Sequence, residues 1–468
     1  PRRRDAVKPL VRFAAPIVSA YLAGFLLPFT TLIYLGSEGS DELAAGGLAF
    51  MTSNITGFSI GIGLLTGVDT LASQAFGARV YPKVGTVCLR GWLVTLIFSA
   101  VFVTPLWLNG EAILKAAHQP HDVAVLTGDY LRIMVLGLVP YFGFESGRRF
   151  LQTQGITRPM LIVSLLTEVG HVGWCWLFIK HLEWGVEGAA VATVLSLWIS
   201  WAALVVYIVV FKPHTQGTWP GFSRDAFREL RLYMKLAAPG AAMLALEWSS
   251  FEVRRGVNCT CLHFHPPPPS PMQAHAIFAN IVPFAFMYPL GLGIGAGTLI
   301  GNLLGQRDPA SARRVAQVGL ALALAVGTVV GAGVYLARRQ VALLFTSDEE
   351  VIDEATGAMH AVAIFIALDA LQGVFQGVYR GTGKQSLGAI ITVLGYYCID
   401  LPLAYCFAFV LDLELPGLWE AMTLSYLIIN AMFIAGLLRM DFNNAAELAY
   451  ARATAGPAPV PDGSASPG

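Results

Sequence analysis

"SQAFGARVYPK" at residues 73–83 returns as "GNLLGQRDPAS" at 301–311, so that Gly77 falls on Gly305. Each copy closes a long apolar run with a turn of small, basic and proline residues. Three further pairs keep nearly the same separation. "QTQGITRP" and "YRGTGKQS" put Gly155 on Gly383, and "GVEGAAVAT" and "ELPGLWEAM" put Gly188 on Gly417. "LVRFAAPI" and "YMKLAAPG" put Pro16 on Pro239. The offsets are 228, 228, 229 and 223 residues. A near-constant offset at four sites marks a duplicated unit of six apolar runs.

The 468 residues are 55% hydrophobic and 13% charged, with a mean hydropathy of +0.62. An ordinary soluble domain is about 25% charged, so the composition is that of a membrane protein. About 20 apolar residues carry a helix across a bilayer. Twelve runs qualify, near 11–35, 45–75, 84–108, 123–147, 158–180, 186–211, 232–253, 274–303, 314–337, 354–378, 386–410 and 417–439. The fold expected is an all-α membrane protein of twelve transmembrane helices in two pseudo-symmetric six-helix bundles. Six spans preserve orientation, so the repeats are parallel, as in many secondary transporters. The expected boundaries are a segment 1–10, a bundle 11–211, a linker 212–231, a bundle 232–439 with an atypical insert 254–272, and a disordered tail 440–468.

Lys and Arg crowd one set of span ends, among them Arg79, Lys83, Arg148, Arg149, Arg307 and Arg380. The opposite ends hold Lys115, Arg132, Lys180, Arg254, Arg255, Arg338 and Arg339. The positive-inside rule then places both termini in the cytosol, in the plasma membrane or a vacuolar or other endomembrane. The sequence opens "PRRRDAVKPL" without Met, which predicts that native N-terminal residues precede it. Net charge is zero, and no basic patch lies on a soluble segment, so no nucleic-acid partner is expected. The six cysteines are scattered through apolar runs, as small hydrophobes rather than a disulfide framework.

The segments that carry the repeat also carry a resemblance. "GVDTLASQAFGA" (67–78), "EWSSFEV" (247–253), "IGNLLGQRD" (300–308), "YRGTGKQSLGAIITVLGYYCIDLP" (379–402) and "PGLW" (416–419) resemble the multidrug and toxic compound extrusion family, in its eukaryotic branch. The likeness covers about residues 10–440, in order. It implies two six-helix bundles around a cavity that faces one side at a time. It also implies export of small organic substrates, xenobiotics or secondary metabolites, by a monomer in the bilayer. The coupling ion it implies is H⁺, with Na⁺ second, and no other cofactor.

Acids inside spans are expensive and mark functional sites. Glu247 and Glu252 match the acids of the family's seventh-helix pattern, and Asp369 in "IFIALDALQG" matches a carboxylate position of the eukaryotic branch. These three are the expected proton- and substrate-binding residues. A carboxylate in such a cavity holds either a proton or an organic cation, which is the simplest form of antiport. Five residues on an ideal helix are about 140° of arc, so Glu247 and Glu252 do not share a stripe. Glu252 also has Arg255 three residues on, the spacing of an ordinary helix ion pair.

Asp69 is read as a structural intramembrane acid, bonding backbone groups near the end of span two. Glu168 and Asp400 fall at no family acid position, and His171 is read as a satisfied partner. Trp248, Phe251, Tyr396 and Tyr397 are candidate cavity linings that offer aromatic faces to a cation. Simple packing explains each equally well. Asn280 stands where animal members carry glutamate; an amide there binds but cannot carry a proton.

The pattern breaks after Glu252, at "RRGVNCTCLHFHPPPPSPM". Either the helix ends early there or the stretch is a mis-joined exon. Cys259, Cys261, His263 and His265 have zinc-ligand chemistry but sit too close together to wrap a tetrahedral ion, so no metal is expected. Asn258-Cys-Thr is a glycosylation sequon.

Two other functions compete with an exporter. A lipid-linked oligosaccharide flippase of related fold would want a cationic cavity, and the runs hold few interior Arg or Lys. A membrane enzyme would want HExxH, GxSxG or paired aspartates, and none appears, so the protein is not read as an enzyme.

Overall fold

The computed structural model describes residues 4–455 apart from 216, 220, 222, 262–268 and 412. The side chains of 4–6, 251–261, 269–273, 276, 279, 280, 409, 414 and 415 also lie outside the described set. Each apolar run forms a helix. They are α1 Arg4–Gly36, α2 Ser40–Gly77, α3 Tyr81–Leu108, α4 His121–Thr153, α5 Arg158–His181 and α6 Gly185–Phe211, then α7 Leu230–Cys261, α8 Pro269–Gly305, α9 Pro309–Leu336, α10 Glu349–Thr382, α11 Gln385–Ala408 and α12 Glu414–Leu438. Among the described residues, eleven of these are long and apolar enough to cross a membrane. α7 completes the twelve.

The helix ends explain themselves locally, and they do so in pairs. Gly155 after α4 and Gly383 after α10 both adopt positive φ, at 81° and 71°. That is the left-handed close of a helix, which glycine enters without strain. Arg79 after α2 and Arg307 after α8 form a second pair, at 63° and 60°.

Two expectations at the edges need correction. Residues 440–468 are not wholly a disordered tail, because Phe442–Thr454 forms a thirteenth long helix, α13. The Asp441 carboxylate accepts from the backbone N–H groups of Asn443 and Asn444, and Phe442, Ala445, Ala446 and Ala449 are buried against α8–α10. A capped alanine face with a surface to pack on folds where composition alone suggests coil. Around the insert, α7 runs on as helix through Cys261 and α8 begins at Pro269, so the helix does not end at Glu252. The 32 residues of α7 span about 48 Å at 1.5 Å per residue. A hydrocarbon core of about 30 Å needs only part of that. His263, His265 and Pro266–Pro268 lie outside the described residues.

Packing follows the duplication. The first helix of each half lies against the second helix of the other: α1 on α8, and α7 on α2. The side chains at these crossings are small. A β-carbon on Gly63 would meet the Ala241 backbone at 2.4 Å, and one on Gly291 would meet Val18 at 2.7 Å. The end of the bundle where α1 starts and α12 finishes, here the lower end, is sealed in reciprocal fashion. A β-carbon on Gly77 would fall 2.0 Å from the Asn302 carbonyl oxygen, and one on Gly305 would fall 2.2 Å from that of Gln74. The Gln74 amide donates to the Gly381 carbonyl at 3.1 Å, and the Asn302 amide to the Thr153 carbonyl at 3.0 Å. Each residue in the second bond is the repeat equivalent of one in the first. α13 straps this end: the Lys83 ammonium donates to the Arg452 and Ala455 carbonyls, and Arg452 donates to Gln74 Oε1 at 3.1 Å.

Candidate functional site

Above the seal, the halves part around two adjoining cavities of about 320 and 250 Å³. Phe25, Phe50, Asn54, Trp248 and Met287 border both. Asn54 opens a wider-than-α turn, Asn54–Phe58, inside α2. Such a turn often marks a functional position in a helix.

The upper cavity brings together two of the three expected acids. Glu247 on α7 and Asp369 on α10 both border it, 1% and 4% exposed. α10 presents its polar side chains on one stripe, Asp369, Gln372, Gln376 and Arg380, at spacings of three, four and four. Gln376 Nε2 donates to Glu247 Oε2 at 2.6 Å. The Tyr396 hydroxyl donates to Glu247 Oε1 at 3.0 Å. Tyr396 in turn accepts from Gln372 Nε2 at 3.1 Å and lies 3.1 Å from the Tyr426 hydroxyl. One hydroxyl proton cannot serve both Glu247 and Tyr426, so Tyr426 donates when Tyr396 faces the carboxylate. Rotating the two hydroxyls reverses the chain. Glu247 can therefore gain or lose a proton without stranding a partner. Asp369 has no hydrogen-bond partner among the described residues, and its oxygens are left to whatever occupies the cavity.

Trp248 lines the cavity as expected. Tyr396 and Tyr397 do not border either cavity. Both turn to α7, Tyr396 behind Glu247 and Tyr397 with its hydroxyl 2.7 Å from Ser249 Oγ. The wide turn Leu394–Asp400 in α11 carries both rings. The side chains of Glu252, Phe251 and Asn280 lie outside the described residues. Gln372, Gln376 and Tyr426 were missed; the α10 stripe was the available signal for the two glutamines.

The lower cavity is built on ion pairs. Arg149 Nε lies 2.9 Å from Asp69 Oδ1, and its Nη1 lies 2.6 Å from Glu145 Oε2. Arg148 donates to Glu145 at 2.6 Å and stacks 4.0 Å above the Tyr21 ring. The partner of the Asp69 carboxylate is a guanidinium and not backbone. Arg148, Arg149 and Arg380 were read as flanking charges; all three are buried, because α4 and α10 run to Thr153 and Thr382. Among the other acids, Glu168 accepts from Thr30 at 2.7 Å and borders the lower cavity. His171 is satisfied by Thr31 and Ser196, each at 2.9 Å, and Asp400 is buried in the wide turn of α11.

This geometry meets its match in known proteins. The MatE family model aligns twice, over residues 16–177 and 239–406, once for each half. The chain belongs to the MatE family. Multidrug and toxin extrusion protein 1 of Danio rerio is 32% identical over 453 residues, which are 96% of this chain and 75% of that protein. Protein DETOXIFICATION 16 of Arabidopsis thaliana is 32% identical over 416 residues, 89% of this chain and 84% of that protein. The crystal structure of the eukaryotic MATE transporter AtDTX14 superposes with a TM-score of 0.89 at 25% identity, covering 96% of this chain and 99% of that one. As a MatE protein, the chain has the all-α fold of twelve transmembrane helices in two pseudo-symmetric bundles.

Proposed function

We propose that this MatE protein exports small organic cations, xenobiotics or secondary metabolites, in exchange for H⁺, as a monomer with both termini in the cytosol. The observation that carries the reading is the pairing of Glu247 and Asp369 on one aromatic-walled cavity. Asp369 offers a carboxylate to a cation, and Glu247 offers one whose partners tolerate either protonation state. With the lower end cytosolic, the sealed conformation is the one that releases substrate outward. Glu252 is assigned the same role, on the resemblance alone. The bundles are assigned to 11–211 and 232–439, joined by 212–231; Arg90 pins that linker through the Asp225 and Ala226 carbonyls, each at 3.1 Å.

The test is uptake of a fluorescent organic cation into proteoliposomes with an acidic lumen, for wild type and Glu247→Gln. Uptake driven by the gradient and lost in the variant supports proton antiport through Glu247. Uptake that ignores pH and follows Na⁺ overturns the coupling. A flippase would instead move a lipid-linked sugar without a gradient. Its demand for a cationic cavity is met at most by Arg380, since Arg148 and Arg149 are matched by Glu145 and Asp69.

A further inference from the structure

Arg380 stands apart from the other charges of the lower cavity. Its side chain is 4% exposed and borders that cavity. Among the described residues it makes no hydrogen bond and no ion pair, and its Nη2 is buried without an acceptor. Arg148 and Arg149, on the same cavity, are matched by Glu145 and Asp69. Glu168, the other acid on this cavity, is held by Thr30 across on α1 and forms no ion pair with Arg380. Asp69 and Glu247 act on it only at a distance, and a guanidinium withdrawn from water without a direct partner is costly. It is also the preferred side chain for a planar carboxylate, which it grips with two parallel donors.

Position adds to this. Arg380 continues the α10 stripe one turn below Gln376, the partner of Glu247. The stripe thus runs from the Asp369 carboxylate at the top to a cation with no direct ion pair at the bottom. Trp248 borders both cavities and stands between the two ends. The carbonyl of Arg380 also accepts from Thr70 Oγ1 at 2.7 Å, in the lower seal, which fixes the residue on the cavity floor.

We infer that Arg380 forms an anion subsite that takes the carboxylate of a zwitterionic amphiphile whose cationic end lies at Glu247 and Asp369. The inference rests on the proposed transport role of that cavity. It extends the cargo from plain cations to molecules with an acid and a base at opposite ends.

The test uses two dyes that differ only at the acid: a zwitterionic rhodamine with a free carboxylate, and its methyl ester. Binding to purified full-length protein is followed by fluorescence anisotropy. The expected result is that Arg380→Gln weakens the free acid by at least about tenfold, the scale of one charge-assisted hydrogen bond. The ester should bind the variant as well as wild type, and Arg380→Lys should recover part of the loss. Equal loss for both dyes overturns the inference, because Arg380 would then only support the fold. If neither dye binds wild type, the transport reading fails, and sodium benzoate decides the anion site by itself. A benzoate-dependent rise in melting temperature, absent with benzyl alcohol and absent in Arg380→Gln, keeps the subsite as one for free anions. No rise rejects it.

Discussion

The two cavities are lined by repeat-related stretches of α4 and α10, yet they are chemically unlike. At the 228-residue offset, Gln376 stands where the first half has Arg148, and Gly373 stands where it has Glu145. In the lower cavity the acids are met by arginines, so neutralising Glu145 would strand the Arg148 guanidinium and leave Arg149 to Asp69 alone. In the upper cavity Glu247 is met only by an amide and a phenol, and neutralising it strands nothing. One duplicated scaffold has become a fixed half and a changeable half. Burial alone does not separate Glu145 from Glu247; the charge of their partners does.

The difference can be broken most directly at Glu145. Glu145→Gln leaves Arg148 buried with no ionised partner and Arg149 with Asp69 alone, and should cost about 3–5 kcal/mol of stability. The measurement is a thermal melt of purified protein in detergent. A melting temperature equal to wild type would show that the ion network does not hold the fold. Glu247→Gln, an identical chemical change, should leave the melt nearly unmoved and lower gradient-driven uptake at least about tenfold, as befits loss of a group that must change charge. If both variants behaved alike, the distinction between the cavities would be lost.

The seal between the halves sets how the cavities are exposed. Gly77→Ala places a methyl on the Asn302 carbonyl and should cost the sealed conformation about 1–3 kcal/mol. Labelling of a cysteine introduced at the lower end should rise in that variant. Unchanged labelling would mean that the contact adjusts and does not gate access.

The smallest effect tests a helix cap that only the second half carries, since the repeat equivalent of Asp308 is Val80. Asp308 caps α9 through Ser311, whose side-chain and backbone hydrogen bonds hold its carboxyl below the usual carboxylate range. A depressed carboxyl stabilises the fold above its unfolded value, near pH 4, and that contribution fades as pH falls through the lower folded value. Asp308→Ala should therefore cost about 1 kcal/mol at neutral pH and progressively less in acid melts. An equal cost at every pH would remove the carboxylate from the explanation.

The number of spans, the duplication and the two acids that meet on the upper cavity were legible from residue order. Hydropathy is a local property, so a run of about 20 apolar residues declares a helix wherever it later packs. Gly77, Gly155, Gly305 and Gly383 were legible as repeat marks for a similar reason, since turns are local chemistry. Glu247 and Asp369 stood out because a charge in an apolar run is anomalous by itself. What each acid does depended on partners far along the chain. Gln376 meets Glu247 from 129 residues away, and Arg149 meets Asp69 from 80. No pattern along the chain encodes such meetings. The burial of Arg148, Arg149 and Arg380 was hidden because a helix continuing one or two turns past its apolar run looks, in one dimension, like the flank of a span. The helix of 442–454 was hidden because its stability comes from the surface it packs on. The sequence determined which helices form and where charge is out of place; the tertiary structure alone decided which charges are matched, because matching depends on distance in space and not along the chain.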